Sequence, residues 1–168
     1  MKLKYPLDTV GNNPYTAIMI LKNAEELATQ LMHLFKVDDY TFSFNQSLSY
    51  FGWCSTEKKT ITLSPKLTEL NTEAEVKDTI LHEIAHALTP GCAHNEVWQR
   101  VARAIGANGK RCYDETVETP THKWTATCPN CSKSIQRHKK NKRLYCGTCH
   151  KAGHRISKSI MFRWKLNK

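Results

Sequence analysis

The chain has 168 residues, a hydrophobic fraction of 40% and a formal net charge of +10 at pH 7, which fits one domain or one domain with a small appendage. No apolar run approaches the ~20 residues of a membrane-spanning helix, and residues 1–8 lack the apolar core of a signal peptide. We therefore expect an intracellular monomer, cytoplasmic or nucleoid-associated and without a membrane partner, whose seven cysteines are metal ligands or free thiols rather than disulfides.

The positive charge is concentrated at the C-terminal end. Residues 1–120 contain 12 lysines and arginines against 15 acidic residues, whereas residues 121–168 contain 13 basic residues and no acidic one. A basic segment can be a solvated surface, but the absence of acids among interleaved aromatic residues favours a surface that binds a polyanion. We predict two domains, residues 1–120 and 121–168.

The first predicted element is a long amphipathic helix. Asn13-Pro14 is typical of a helix N-terminus. Apolar residues then recur every three or four positions from Ala17 to Phe35, so the helix should end near Lys36 and bury one face.

Two half-buried strands are predicted next. Residues 40–45 and 59–64 alternate between aromatic or aliphatic and polar side chains. Gly52 and the polar residues 55–58 indicate a turn between them, so the two strands should pair as a hairpin or small sheet.

Two capped helices follow. Thr72 and Glu75 match a capping box, and Pro90-Gly91 should stop that helix near Leu88. Asn95 should cap the second helix, which ends at a glycine. The apolar face of the first helix consists of Val76, Ile80, Ile84 and Leu88, and that of the second of Val97, Trp98, Val101, Ala102 and Ile105.

The first of these helices carries the sequence His82-Glu83-Ile84-Ala85-His86. Residues four apart lie on one face of a helix, so both imidazoles point toward one ion. Glu83 lies close enough to reach a water at that ion without being a ligand, and it can accept the water's proton during attack on a carbonyl. The pattern predicts a catalytic zinc site with Glu83 as general base.

A catalytic zinc needs a third protein ligand and one open position. His94 is the predicted third ligand, because the break at Pro90-Gly91 lets the chain turn back toward the metal. Cys92 is the main competitor, although a thiolate would make the metal less electrophilic; weaker options are Glu96, Asp114 and Glu115. For the group that stabilises the oxyanion, Tyr113 and the main chain remain open.

The stretch from His82 to His94-Asn-Glu-Val-Trp98 resembles the signature of SprT-like metallopeptidases, the group that contains Spartan. In that family a histidine ligand follows the H-E-x-x-H helix, and an aromatic residue comes shortly after it. The resemblance runs from about Ile61 to His150, and the metzincin pattern does not fit. It implies a zincin-like core, with His82, His86 and His94 as zinc ligands, and cleavage of proteins attached to DNA. It also implies an edge strand that receives substrate, for which residues 60–64 are the candidate.

Cys128-Pro-Asn-Cys131 and Cys146-Gly-Thr-Cys149 are two C-x-x-C knuckles separated by fourteen residues. Together they predict a closed tetrahedral site for a structural Zn²⁺, which would supply folding energy to a segment too short to bury much core. Haem attachment at Cys146–His150 would leave the first knuckle without a role, and a thioredoxin-type site lacks the βαβ pattern. We therefore predict a C-terminal zinc ribbon.

Basic and aromatic residues lie between and after the knuckles. Lysine and arginine neutralise phosphates, and aromatic rings can stack on exposed bases or form the core of a small zinc module. The predicted nucleic-acid contacts are Arg137, Lys139, Lys140, Lys142, Arg143, Tyr145, Arg155, Lys158 and Trp164.

These predictions combine into one interpretation. We expect an α+β zinc endopeptidase with a zincin-like helical core, a small sheet or hairpin and a zinc ribbon, binding two Zn²⁺ per chain. Together with the basic segment, the resemblance implies recruitment to DNA, single-stranded or partly so, and cleavage of proteins bound or crosslinked there. The alternatives are a non-catalytic zinc-containing nucleic-acid-binding factor and a general metallopeptidase without DNA dependence.

Overall fold

The computed structural model describes residues 19–112 and 116–167. The chain divides into two compact units, Met1–Thr119 and Pro120–Lys168. Both units combine short helices with a three-stranded sheet, so the predicted α+β class is confirmed. Within the described ranges, no helix is long and apolar enough to cross a bilayer.

The first helix, α1, spans Leu21–Leu34. It begins later than predicted, since Ile20 before it is extended, with φ −84° and ψ 149°. Asn13 and Pro14 lie outside the described residues. Ala24 and Ala28 are fully buried on its inner face, and Leu31 and Met32 are nearly so, which is the amphipathic packing that the apolar spacing predicts.

The sheet of the first unit contains β1 (Thr41–Phe44), β2 (Gly52–Ser55) and β3 (Thr60–Leu63) in the order β1-β3-β2. The first and last of these strands pair within a small sheet, which confirms one of the two predicted alternatives. They do not form a hairpin, because β1 pairs with β3 in parallel and the antiparallel hairpin joins β2 to β3. Gly52 therefore lies in an unforeseen strand rather than in a turn.

Three helices complete the first unit: α2 (Pro65–Leu70), α3 (Glu73–Leu88) and α4 (Glu96–Ala104). Helix α2 was not predicted. The capping box at the start of α3 is confirmed, with the Glu75 amide 3.4 Å from Thr72 Oγ1 and the Thr72 amide 3.0 Å from Glu75 Oε2. Asn95 Oδ1 caps α4 through the amides of residues 97 and 98.

The inner face of α3 anchors it in the core. Val76, Ile80 and Ile84 are fully buried, but Leu88 is 38% exposed. The predicted apolar face therefore stops one turn before the end of the helix, next to the turn at Pro90-Gly91. The opposite face of α3 is left for the two histidines.

The second unit contains β4 (Trp124–Thr127), β5 (Ser134–Arg137), α5 (Gly147–Lys151) and β6 (Arg163–Leu166). The strands form an antiparallel sheet in the order β5-β4-β6. Its core is small and includes the fully buried residues Ala126, Cys128, Cys146 and Ile160. So few buried apolar side chains agree with a module that depends on a bound metal for its stability.

Candidate active site and metal centres

Three imidazoles meet at one point of the first unit. His82 and His86 project from one face of α3, and His94 lies just before α4. The Nε2 atom of His94 is 3.1 Å from Nε2 of His82 and 3.1 Å from Nε2 of His86. Ligands about 2.05 Å from a tetrahedral zinc would be about 3.3 Å apart. The cluster could therefore hold a metal ion, and its geometry is consistent with zinc.

Trp98 and the main chain near residue 110 hold the imidazole rings in place. The Trp98 ring is fully buried and lies 4.6, 5.1 and 4.6 Å from the ring centroids of His82, His86 and His94. A ring nitrogen of His82 also donates to the main-chain carbonyl of Lys110. Such a bond fixes the tautomer that leaves the other nitrogen free for a metal.

The same surroundings keep the histidines neutral. Burial, followed by the neighbouring imidazoles, lowers the pKa of His82 to about 3 and that of His86 to about 4. Burial and the positive charge of Arg111 also lower the pKa of His94. A neutral imidazole is the form that binds a metal, so little competition from protons is expected at neutral pH.

Glu83 lies beside the cluster and is almost entirely buried, with 6% of its surface exposed. Burial raises the pKa of its carboxyl to about 8, although a hydrogen bond from the Cys54 amide works in the opposite direction. A carboxyl group with a pKa near neutrality can both take up and release a proton at working pH.

These groups line a cleft of about 790 Å³ in the first unit. One wall is formed by residues 49–54, which include the first three residues of β2, and another by Asn108, Lys110, Arg111 and Cys112. The latter segment is tied to α3, because the Asn108 amide donates to Asp78 Oδ1 at 2.7 Å. The cleft is large enough for a peptide segment.

The other candidate ligands do not join this cluster. Cys92 is half-buried and packs against the hydrophobic core, and Glu96 is exposed at the start of α4. Among the described residues, the metal-ligating atoms that converge here belong to the three histidines. Asp114, Glu115 and Tyr113 lie outside the described residues.

The four cysteines of the second unit form another cluster. Sγ of Cys128 is 3.8 Å from Sγ of Cys149, and Sγ of Cys131 is 3.6 Å from Sγ of Cys146. Sulfurs about 2.3 Å from a tetrahedral zinc would be about 3.8 Å apart. A main-chain hydrogen bond from Cys149 lowers the pKa of the Cys146 thiol, which favours the thiolate that a metal requires. Despite the opposing hydrogen bond from Asn130, the pKa of Cys149 is raised by burial and the neighbouring cysteines.

The predicted nucleic-acid contacts fall into two groups. The seven basic residues are all exposed: Arg137, Lys139, Lys140, Lys142, Arg143, Arg155 and Lys158. Tyr145 and Trp164 are half-buried and pack against the core of the second unit. Lys140 Nζ lies 3.7 Å from the centroid of the Trp124 ring, so that ring already has a cationic partner.

A groove of about 440 Å³ in the second unit was not foreseen. Lys133, Arg137 and Lys151 line it together with apolar side chains such as Leu144 and Phe162. Lys133 and Lys151 are not among the nine predicted contacts, whereas Arg137 is. The sheet and α5 bring them together.

A pair of histidines one helical turn apart, a third histidine and a buried glutamate in the same cleft define a candidate metallohydrolase centre. The chain belongs to the SprT-like family, whose sequence profile matches residues 20–122, so the predicted resemblance is confirmed. Family membership supports a metallopeptidase-like function.

Two curated relatives are both called Protein SprT, one from Pseudomonas paraeruginosa (strain DSM 24068 / PA7) and one from Pseudomonas aeruginosa (strain UCBPP-PA14). Each is 28% identical to this chain over 125 residues, which cover 65% of this chain and 76% of the relative. No solved structure matches the chain significantly.

Proposed function

We propose that the protein is a zinc-dependent endopeptidase that is recruited to DNA and cleaves proteins bound or crosslinked there. The convergence of three neutral imidazoles beside the buried carboxyl of Glu83, in a cleft wide enough for a peptide, carries the enzymatic part of this proposal. The intracellular setting, in the cytoplasm or at the nucleoid, is part of the same proposal.

In the proposed reaction, His82, His86 and His94 would hold the metal through their Nε2 atoms, beside the cleft. Zinc bound there would supply a Lewis acid that polarises the substrate carbonyl and makes a water more acidic. Glu83 accepts the proton of the attacking water and delivers it to the nitrogen of the leaving amine. Burial raises the pKa of the Glu83 carboxyl to about 8, so its deprotonated form is a stronger base than the carboxylate of an exposed glutamate.

The edge strand that would receive the substrate is β2 rather than residues 60–64. Strand β3 is paired on both sides, so the prediction of an edge there is wrong. Since the Ser64 amide donates to the Phe51 carbonyl at 2.7 Å, alternation along the antiparallel pair turns the main-chain groups of Gly52 and Cys54 away from β3. The Cys54 amide is engaged with Glu83, so pairing with substrate would use Gly52 and the Cys54 carbonyl. Both residues line the cleft. Main-chain pairing at this edge tolerates many substrate sequences.

Recruitment to DNA rests on the second unit. Residues 121–168 contain 13 basic residues and no acidic one, and the seven predicted phosphate contacts are exposed. DNA held there would raise the effective concentration of attached proteins at the cleft. A structural zinc at the four cysteines would keep this surface folded.

The proposal is tested by incubating the full chain with a histone-like protein, with and without single-stranded DNA and with and without a chelator. Glu83→Gln should retain zinc and lose cleavage, because the amide cannot accept a proton. Retained cleavage by that variant would contradict the proposed mechanism.

A second variant tests recruitment within the same assay. Replacing Lys139, Lys140, Lys142 and Arg143 by glutamine should weaken DNA binding and flatten its salt dependence, by about one unit of slope for each phosphate that is no longer neutralised. Stimulation by DNA should fall while basal cleavage persists. Undiminished stimulation would favour a general peptidase whose basic residues serve another role.

A further inference from the structure

We propose that Gly52 is a positioning residue for the general base: the absence of a side chain lets β2 lie directly against Glu83, and any Cβ there would displace the carboxylate. This inference rests on the proposed function, because it assumes that Glu83 acts on the substrate water. Gly52 itself touches neither the metal cluster nor, in this role, the substrate.

The space at Gly52 is the first observation. A Cβ added there would lie 2.6 Å from Glu83 Oε1, 2.8 Å from Glu83 Cγ and 2.9 Å from Thr79 Cγ2. All three distances are below the 3.0 Å that real Cβ atoms essentially never cross. Van der Waals repulsion would therefore force a shift in the strand, the helix or the carboxylate.

Backbone conformation does not explain the glycine. The glycines with positive φ among the described residues are Gly91, Gly106, Gly109 and Gly153. Gly52 is not one of them and lies in a regular strand. An alanine would adopt its backbone angles without strain, so the requirement at this position is for space next to Glu83.

A second contact from the same strand holds the carboxylate. The Cys54 amide donates a hydrogen bond to Glu83, and this amide points away from β3. Gly52 and Cys54 are two residues apart and face the same side of the strand. The strand therefore holds the glutamate by close approach at one residue and by a hydrogen bond at the other.

Of the side chains next to Gly52, the Glu83 carboxylate is the one that a new Cβ would displace. Thr79 lies one turn before Glu83 on α3, and its hydroxyl donates to the Glu75 carbonyl at 2.9 Å, which holds its rotamer and its Cγ2 methyl in place. Glu83 is the longer and more flexible side chain, so a methyl at position 52 should move the carboxylate and break its bond to the Cys54 amide. The imidazole cluster, held by Trp98, should not move.

The test compares the full-length Gly52→Ala variant with the wild-type protein. We expect kcat to fall by roughly 10- to 100-fold with little change in KM, since a displacement of about 1 Å at a catalytic group can cost about 100-fold. Zinc content and the absorption spectrum of the cobalt-substituted three-histidine site should stay unchanged. Ser43→Ala is the control in the same sheet, because Ser43 is exposed on β1 and does not line the cleft.

Coupling to Glu83 separates positioning from a general structural effect. Glu83→Asp keeps a carboxylate but shortens its side chain. In the double variant with Gly52→Ala, the fold-loss in rate should be smaller than the product of the fold-losses of the two single variants. Multiplicative losses, or a changed cobalt spectrum, would overturn the inference. If Gly52→Ala fails to fold, the comparison is made in a Thr79→Ser background, which removes the Cγ2 contact and leaves both contacts to Glu83.

The outcomes for the two proposals are distinct. Wild-type turnover in Gly52→Ala together with an inactive Glu83→Gln variant would overturn the role of Gly52 and leave the proposed function standing. Full cleavage by Glu83→Gln would remove the proposed function and the inference that depends on it.

Discussion

Replacing Trp98 should weaken metal binding at the three histidines, although the indole is not itself a ligand. The indole is fully buried and its ring lies 4.6 to 5.1 Å from all three imidazole rings. Trp98→Ala removes the surface on which the three rings rest. The imidazoles would then sample orientations in which their Nε2 atoms no longer converge.

Two magnitudes follow from this environment. Loss of a fully buried tryptophan costs about 3–5 kcal/mol of folding free energy. Loss of groups that orient metal ligands reduces metal affinity by about 10- to 100-fold. Trp98→Phe should cost less, because a ring remains and because the buried indole N–H has no partner among the described residues. Removing that donor offsets part of the reduced packing, by about 1 kcal/mol.

The assay is a chelator competition on the full-length protein, with the metal at the four-cysteine site as an internal reference. Urea unfolding of the same samples gives the stability change. Val97→Ala is the control on α4, because Val97 is 48% exposed. If Trp98→Ala remained folded and bound zinc with wild-type affinity, the indole would have no part in orienting the ligands.

Three further predictions concern the rest of the molecule. Asn71→Ala should destabilise the protein by about 2–4 kcal/mol in urea unfolding, because its buried amide bonds the Leu67 and Glu118 carbonyls and the Glu118 amide at 2.7–2.8 Å; a loss below about 1 kcal/mol would contradict this. The metal-free protein should lose stability as pH falls from about 6 toward 4, because the pKa values of His82 and His86 are lower in the folded state and the unfolded chain takes up more protons at these two residues than the folded chain holds at Glu83, whose pKa is raised; a flat profile over this range in thermal melts would refute it. Replacing one ribbon ligand by serine should remove one equivalent of zinc, measured by elemental analysis, and weaken DNA binding without abolishing cleavage of a free peptide.

Signals confined to a few neighbouring residues were predictable from the sequence. The capping box at Thr72 and the cap at Asn95 depend on atoms within one helical turn. The spacing of His82 and His86 and of the C-x-x-C knuckles likewise encodes geometry locally. These features were placed correctly because the residues that interact are also close together in the sequence.

Features that depend on distant packing were missed. Strand β2 was not predicted because its inward positions are Gly52 and Cys54, and small residues there break the hydrophobic alternation that indicates a strand. They are small because α3 lies against them. The parallel pairing of β1 with β3 was also not predictable, since alternation gives the faces of a strand but not its partner.

The active-site environment shows the same division. The three histidines and Glu83 could be named from their spacing. The close packing of β2 against Glu83 and the opposing bond from the Cys54 amide depend instead on a strand about thirty residues earlier. Trp98 was recognised as part of an apolar stripe and as the aromatic residue of the family signature. Its contact with the three imidazoles depends on α4 packing against α3, and no local sequence pattern predicts that packing.

The three-histidine cluster is assembled from thirteen consecutive residues, 82–94, with Trp98 following within one turn. The position of the Glu83 carboxylate, in contrast, depends on β2 and therefore on the hairpin that joins β2 to β3. Metal capture and proton transfer thus have different structural requirements. A partly unfolded chain that keeps α3 and α4 but loses the sheet would retain its ion and be unable to hydrolyse a peptide, so metal content alone is a poor measure of active enzyme.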